Sequence, residues 1–258
     1  MNDKIVGRPI KCNKQRLQPK KGKNYAEVLF IGDTHLGSPQ FDQQKFLNML
    51  DYAKTHSIYV FLMGDLLETA TRYSVGAGVY EQTSNTQSQF EKMVEWLKPL
   101  SSKKLILGTH RGNHEERVYK ESGVDIAKAL ARELSVPYLG DACWSRFQVG
   151  KQSYSIYSLH GRSGARFEGT CLLALERLAV SFAADLVAQG HSHKAISSNI
   201  LYQKTVNGVV KEFKKFLLIT GSYLSYGGYA QTYGLPISKL GSPKCKFFSD
   251  RHDLSISW

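Results

Sequence analysis

Val28-Leu29-Phe30-Ile31-Gly32-Asp33-Thr34-His35 sets four apolar residues directly against a glycine, a carboxylate and an imidazole. A run of this length, with β-branched and aromatic members, reads as a strand covered on both faces. The pattern returns at Ile58-Tyr59-Val60-Phe61-Leu62-Met63, which also ends in Gly-Asp, at Gly64-Asp65. Between the two, residues 41 to 56 place Phe46, Leu47, Leu50 and Ala53 on one face at helical spacing. Strand, helix, strand is the rhythm of an α/β domain.

The rhythm continues outward. A polar stretch with Gly76 and Gly78, reaching about Gln89, reads as a long loop at the carboxyl end of the second strand, and loops of that length are usually functional or mobile. Phe90, Met93, Val94 and Leu97 mark the next helix, and Lys104 to Leu107 a third strand leading to Arg111-Gly112-Asn113-His114-Glu115. A helix over Val124 to Leu134 has Ile126, Leu130 and Leu134 in register. Trp144 to Val149 and Tyr154 to Leu159 read as consecutive strands, the second ending at His160-Gly161. A helix over Leu172 to Phe182 precedes the strand Asp185-Leu186-Val187-Ala188, which ends at Gly190-His191-Ser192-His193. Asn207-Gly208, between residues 198 to 204 and 209 to 219, signals a tight hairpin. Leu254 to Trp258 is the last strand.

The chain has 258 residues, 42% of them hydrophobic, enough for one sizeable core, and no linker rich in Pro, Gly and Ser divides it. The expected organisation is a basic N-terminal arm over 1–24 and a single domain over 25–258. The net charge of +12 and pI near 9.4 suit an anionic partner such as nucleic acid. Lys4, Arg8, Lys11, Lys14, Arg16, Lys20, Lys21 and Lys23 stand against Asp3 alone, so +7 of that charge lies in the arm. One reading is a phosphate-backbone contact that salt would weaken; the other is a solvated tail. Cys12, Cys143, Cys171 and Cys245 are widely separated, with no C-x-x-C pair to indicate a zinc ribbon, and point to a reduced, cytoplasmic setting. No signal-peptide core and no membrane-length apolar run is present, so a soluble protein without a membrane partner is expected.

Five apolar strands each end in a polar cluster: Asp33 with His35, Asp65, Asn113 with His114, His160, and His191 with His193. Ligands of open α/β sheets collect outside the carboxyl ends of strands, so these clusters should meet in space. Five of the eight histidines lie there, and only His56, His110 and His252 fall elsewhere. Taken singly, an Asp after a strand is an N-cap and Gly112-Asn113 a turn. Taken together, carboxylates, imidazoles and one carboxamide make a metal site of mixed O and N donors without thiolate.

Asp33-Thr34-His35, Gly64-Asp65, Gly112-Asn113-His114-Glu115, His160-Gly161 and Gly190-His191-Ser192-His193 resemble, in order and approximate spacing, the signature of the calcineurin-like metallophosphoesterases. The resemblance runs from about residue 28 to 193, and Gly221-Ser222 is similar to the pair that follows the last ligand strand in many members. It implies an α/β fold, a four-layer αββα sandwich of two mixed sheets with a dinuclear metal site at the sheet edge. By similarity, Asp33, His35, Asp65 and His193 would hold one divalent cation, and Asp65, Asn113, His160 and His191 the other, with Asp65 bridging. Two such cations about 3.5–4 Å apart clamp phosphoryl oxygens through an in-line displacement. Manganese is the expected metal, with iron and zinc as alternatives. His114 would protonate the leaving alkoxide. Glu68 stands where related phosphatases carry an Asp that orients this histidine; its longer side chain leaves open the alternative of a surface carboxylate.

Arg111 to Glu115 also resembles the motif of Ser/Thr phosphoprotein phosphatases, but Glu68-Thr69-Ala70 stands where those enzymes have Asp-Arg-Gly, and they lack a second histidine such as His193. The pattern is closer to the SbcD-type nuclease and phosphodiesterase branch. The resulting expectation is a phosphodiesterase acting as a DNA or RNA nuclease; the alternatives are a phosphomonoesterase on nucleotides or phosphoproteins and a non-catalytic binding module. Repair nucleases of that branch usually add a capping domain after the last ligand; with 65 residues following His193 here, a separate cap is not expected. Tyr223, Tyr226, Tyr229 and Tyr233, interleaved with Gly227, Gly228 and Gly234, form either a segment that stacks on bases or a packed loop. Arg162 and Arg166 are candidates for phosphate contact or for a solvated loop.

Overall fold

The computed structural model describes residues 12–72, 74, 78–162 and 164–258, with the backbone alone at Tyr229. The strands are β1 Asn13–Leu17, β2 Tyr25–Ile31, β3 Tyr59–Leu62, β4 Ile106–His110, β5 Tyr138–Gly140, β6 Ala142–Val149, β7 Gln152–Leu159, β8 Leu186–Gln189, β9 Ala195–Val206, β10 Val209–Thr220, β11 Lys244–Phe248 and β12 Leu254–Ser257. The helices are α1 Gln43–Thr55, α2 Gly78–Glu81, α3 Thr86–Ser102, α4 Asn113–Ser122, α5 Ile126–Glu133, α6 Glu168–Ala179 and α7 Gly228–Thr232.

Two six-stranded mixed sheets result, ordered β12-β11-β2-β3-β4-β5 and β1-β6-β7-β8-β10-β9. Strands β2 to β5 run parallel, as the intervening helices require, while β11 joins β2 antiparallel. Between the sheets, Val28, Phe30, Phe61 and Met63 meet Phe147, Ile156, Leu186 and Leu218, with the Phe61 and Phe147 rings 5.9 Å apart. The outer face of the first sheet is covered by α1, α3 and α5 through Phe46, Leu50, Met93, Leu97 and Leu130. Cys171, Leu175 and Ala179 of α6 cover the second. The layers are therefore helix, sheet, sheet, helix, as the resemblance implies.

Local chemistry sets the helix boundaries. Asp42, Asn85 and Asp125 each accept a hydrogen bond from the backbone N–H three residues on, capping α1, α3 and α5. The Asn85 cap starts α3 at Thr86, so the expected loop is shorter than its polar composition suggests; Gly76 lies outside the described residues. The strand expected at Lys104 to Leu107 instead occupies Ile106–His110, because Lys104 turns at φ 56° and the polar Thr109 and His110 are buried. The helix expected over 172 to 182 spans Glu168–Ala179.

Residues 13 to 17, assigned from sequence to the basic arm, form an edge strand parallel to β6; Lys4, Arg8, Lys11 and Asp3 lie outside the described residues. The Asn207-Gly208 hairpin is longer than expected, with twelve residues in each strand, of which only Phe216 to Ile219 pair with β8. Most of its outer half is exposed on both faces. Tyr223 is core, fully buried with its ring 5.3 Å from Phe46 and its hydroxyl 2.9 Å from Ser242 Oγ, which excludes base stacking there. Tyr226 and Tyr233 are about half exposed, and the Tyr229 side chain lies outside the described residues. Among the described residues no helix is long and apolar enough to cross a membrane, and all four cysteines are free thiols.

Phe61 sits at the centre of the layer between the sheets. Phe61→Ala is expected to destabilise the protein by about 3–5 kcal/mol, read as a fall in Tm of roughly 10 °C. A Tm within 2 or 3 degrees of the parent, by rough allowance, would show that the sheets do not depend on this contact.

Candidate metal centre

Register brings the polar clusters together. Ile31 lies opposite Leu62 and Leu62 opposite Thr109 in one sheet; in the other, Gln189 lies opposite both Leu159 and Ile219. The strands thus end level, and their next residues face one another across the rim. Five of the seven expected ligands, Asp33, His35, Asp65, His191 and His193, have φ between 49° and 68°. Non-glycine residues rarely adopt this conformation, so the strain is concentrated where side chains must turn inward.

The candidate ligand atoms converge within hydrogen-bond distance of one another. His35 Nδ1 is 3.1 Å from Glu68 Oε2, a carboxylate that only accepts, so Nδ1 carries the hydrogen and Nε2 a lone pair. That lone pair faces His193 Nε2 at 3.1 Å, and His193 Nε2 is 3.3 Å from Asp33 Oδ1. His160 Nδ1 likewise donates to the Met63 carbonyl at 2.9 Å, aiming Nε2 at Asn113 Oδ1, 3.0 Å away, and Asp65 Oδ2, 3.2 Å away. His191 Nδ1 is buried with no hydrogen-bond partner among the described residues. Ligand atoms of Asp33, His35 and His193 lie within 4.8 Å of one another, as do those of Asp65, His160 and His191. Carboxylate, carboxamide and imidazole atoms converging at these distances, with the outer nitrogens of His35 and His160 fixed by Glu68 and the Met63 carbonyl, form a donor set that fits divalent cations once the imidazoles are neutral.

Charge in the cluster supports this. Although burial opposes it, His160, His114 and His35 hold the Asp65 carboxyl well below its usual range. Asp33 is held down by His193 and His160, again against burial. Burial would lower His160, but Asp65 and Asp33 push it up to about 10. Burial and the neighbouring His160 depress His191 to about 4.

His114 stands at the edge of this set, its Nε2 3.9 Å from Asp65 Oδ2. A ligand atom of its ring lies within 4.8 Å of those of His35 and Asp65, closer to the ligands than its separate role suggested. Its Nδ1 donates to the Glu68 backbone carbonyl at 2.9 Å, with Glu68 Oε2 at 3.4 Å. Glu68 is therefore no surface carboxylate: it touches both His35 and His114, and its backbone contributes as much to orienting His114 as its side chain. Burial opposes protonation of His114, yet Asp65 and Glu68 raise its pKa. Arg117 Nη2, 2.9 Å from Nε2, pulls the other way. Of the two loop arginines, Arg162 pairs with Glu116 at 2.7 Å.

Three contributors were not read from the sequence. Glu115, 2% exposed, accepts hydrogen bonds from the amides of Asp65, Leu66, Leu67 and Gly112 at 2.7–3.0 Å. Burial and the Asp65 charge push its pKa up against the pull of the Leu67 amide and of His160 and His114. Gly112 has no room for a side chain, since a Cβ there would stand 2.0 Å from Asp65 Oδ1. Arg117 lies one helical turn beyond His114, a spacing visible only once α4 is known to be a helix. That helix carries no apolar stripe, and its buried residue is the carboxylate of Glu115.

The sequence model of the calcineurin-like phosphoesterases matches residues 26–195. The chain belongs to that family. The matched span holds all seven expected ligands together with His114 and Glu68. The chain matches no curated relative. Among solved structures it is similar to a predicted phosphoesterase of Streptococcus pneumoniae, with 13% identity over 90% of this chain and 88% of that one and a TM-score of 0.40. It is also similar to zinc-complexed Vps29 of Entamoeba histolytica, at 17% over 90% and 97% with a TM-score of 0.34. A hypothetical protein of Pyrococcus horikoshii matches at 7% over 90% and 87%, with a TM-score of 0.47.

Two outcomes follow for the centre. Ligation needs neutral imidazole, and without metal His160 keeps its proton until about pH 10. Manganese binding at pH 8 should therefore release about one proton and tighten as pH rises. Calorimetry in buffers of different ionisation enthalpy measures this, and proton release unchanged in His160→Ala would exclude His160 as the source. Separately, Glu115→Ala strands four buried amides and should cost about 3 kcal/mol or more, with loss of manganese binding in whatever remains folded. Unaltered thermal unfolding would refute that role.

Proposed function

We propose that the protein is a dinuclear-metal-dependent phosphodiesterase acting on nucleic acid. The carrying observation is His114, held by the Glu68 carbonyl at 2.9 Å on the rim of a cluster of converging metal-ligand atoms. Two divalent cations held by Asp33, His35, Asp65, Asn113, His160, His191 and His193 would polarise a phosphoryl group for in-line attack by water. Manganese suits the mixed donor set, with iron and zinc as alternatives.

The chain's own residues would do the rest. Asp65 stays ionised and accepts the His114 amide at 2.8 Å, which fixes the start of α4 against the site. The His191 amide donates to both Asp33 oxygens, at 3.1 and 2.9 Å, setting their direction. His114 delivers a proton to the departing ester oxygen while a water oxygen forms the new bond to phosphorus. Support for diester substrates comes from His193, placed against Asp33 and His35, and from the +12 charge, which favours a polyanion in the cytoplasm.

His114→Ala is expected to lower kcat on bis-p-nitrophenyl phosphate by about 10²–10⁴ while metal content stays at the parent value. Full activity in this variant would remove His114 from the chemistry. Comparison with p-nitrophenyl phosphate separates diester from monoester hydrolysis; a preference for the monoester would overturn the proposal. DNA binding should weaken steeply between low and physiological salt, and salt-independent binding would contradict a backbone contact.

A further inference from the structure

Beyond His114 lies a cleft of about 560 Å³ lined by Thr71, Arg72, Arg117, Lys120 and Glu121. That volume is in the range of small-ligand sites. It adjoins the catalytic rim through Arg117, whose Nη2 reaches His114 Nε2 at 2.9 Å and whose Nη1 lies 3.3 Å from Ser74 Oγ. His114 Nε2 therefore has the Asp65 carboxylate on one side, at 3.9 Å, and the Arg117 guanidinium on the other. A proton donor stands beside the leaving group, so the space past it, on the Arg117 side, takes the leaving group.

Most of the charged side chains lining the cleft are cations. Three cationic side chains face one carboxylate, Glu121. Lys120 pairs with Glu116 at 3.2 Å, a carboxylate that also takes Arg162, and Arg111, outside the cleft, grips Asp141 with Nε and Nη2, both at 3.0 Å. Among the described residues the one carboxylate within 4.0 Å of Arg117 is Glu68, at 3.9 Å, and that carboxylate also lies against His35 and His114. A planar guanidinium held at one edge by a ring nitrogen and a hydroxyl presents further N–H donors to a phosphate.

We propose that this cleft is a subsite for a phosphate on the leaving group, so that preferred substrates carry a second phosphate one nucleotide beyond the bond that breaks. The reaction balances as a hydrolysis. Water forms the new P–O bond, the ester P–O bond breaks, and the departing oxygen takes the proton from His114 and leaves as an alcohol whose own phosphate rests on Arg117. This inference rests on the phosphodiesterase reading above and specifies the substrate class for it.

The manganese-loaded protein is tested on the dinucleotides TpT, pTpT and TpTp, since whichever oxygen leaves, one phosphorylated form carries its phosphate on the leaving side. That form should show a kcat/KM about tenfold or more above TpT. Arg117→Ala should erase the ratio and Arg117→Lys restore part of it. Equal rates on all three, or a ratio unchanged in Arg117→Ala, overturn the subsite. Hydrolysis of bis-p-nitrophenyl phosphate in the same preparations reads the broader proposal by itself. Its absence sinks the phosphodiesterase, whereas its presence without dinucleotide preference sinks only the subsite. Calorimetry with thymidine 3′,5′-bisphosphate needs no turnover: binding about tenfold weaker in Arg117→Ala supports the subsite, and equal binding refutes it. Better cleavage of a longer oligothymidylate assigns the phosphate to a strand, and no gain assigns it to a free nucleotide; both support the subsite.

Discussion

A single buried carboxylate, that of Glu115, ties the loop after β3 to the start of α4. Its two oxygens collect the amides of Asp65, Leu66 and Leu67 from one segment and of Gly112 from the other. An uncompensated carboxylate in such a place would be costly, and four amides whose hydrogens had no acceptor would be costly too; each makes the other tolerable. The consequences reach the chemistry directly. Asp65 is fixed through its own N–H, and Asn113 and His114 follow because they are the first two residues of the helix that Glu115 anchors.

The strand ends show the same economy on a larger scale. Parallel strands finishing level at a rim would leave their terminal side chains pointing along the sheet. Left-handed backbone at Asp33, His35, Asp65, His191 and His193 redirects them into one cluster. That conformation is strained, and the sheets on either side hold it in place: Asp33 N–H donates to Gly64 O at 3.0 Å and His35 N–H to Asp65 O at 3.0 Å. The rigidity of two packed sheets is thus converted into placement of donor atoms, with the outer hydrogen bonds of His35 and His160 choosing which ring nitrogen faces inward.

How much of this was legible in the sequence differs from element to element. Runs such as Val28 to Ile31 and Ile58 to Met63 announce central strands because both faces are covered, and the polar residues immediately after them announce the rim. Strands β1 and β11 carry alternating, lysine-bearing sequences and exist through partners far away in the chain, so no local pattern reveals them. Helix α4 escaped because its buried side chain is charged, and Arg117 escaped with it. Tyr223 reads as one of four similar tyrosines, yet only the packing against Phe46 makes it a core residue. Glu68 was placed correctly as a neighbour of His114, but no sequence pattern shows a backbone carbonyl acting as the orienting acceptor.

The β9–β10 ribbon separates two requirements that a single strand pair normally has to meet together. Its inner end, from Phe216 to Ile219, is clamped between β8 and β9 beside His193, whereas its outer end around Asn207-Gly208 pairs with no other strand among the described residues. A two-stranded ribbon without a third partner opens locally at little cost. The tip is therefore a place where the chain can accept an inserted domain, or be cut and rejoined as new termini, while the residues around His191 and His193 keep their geometry.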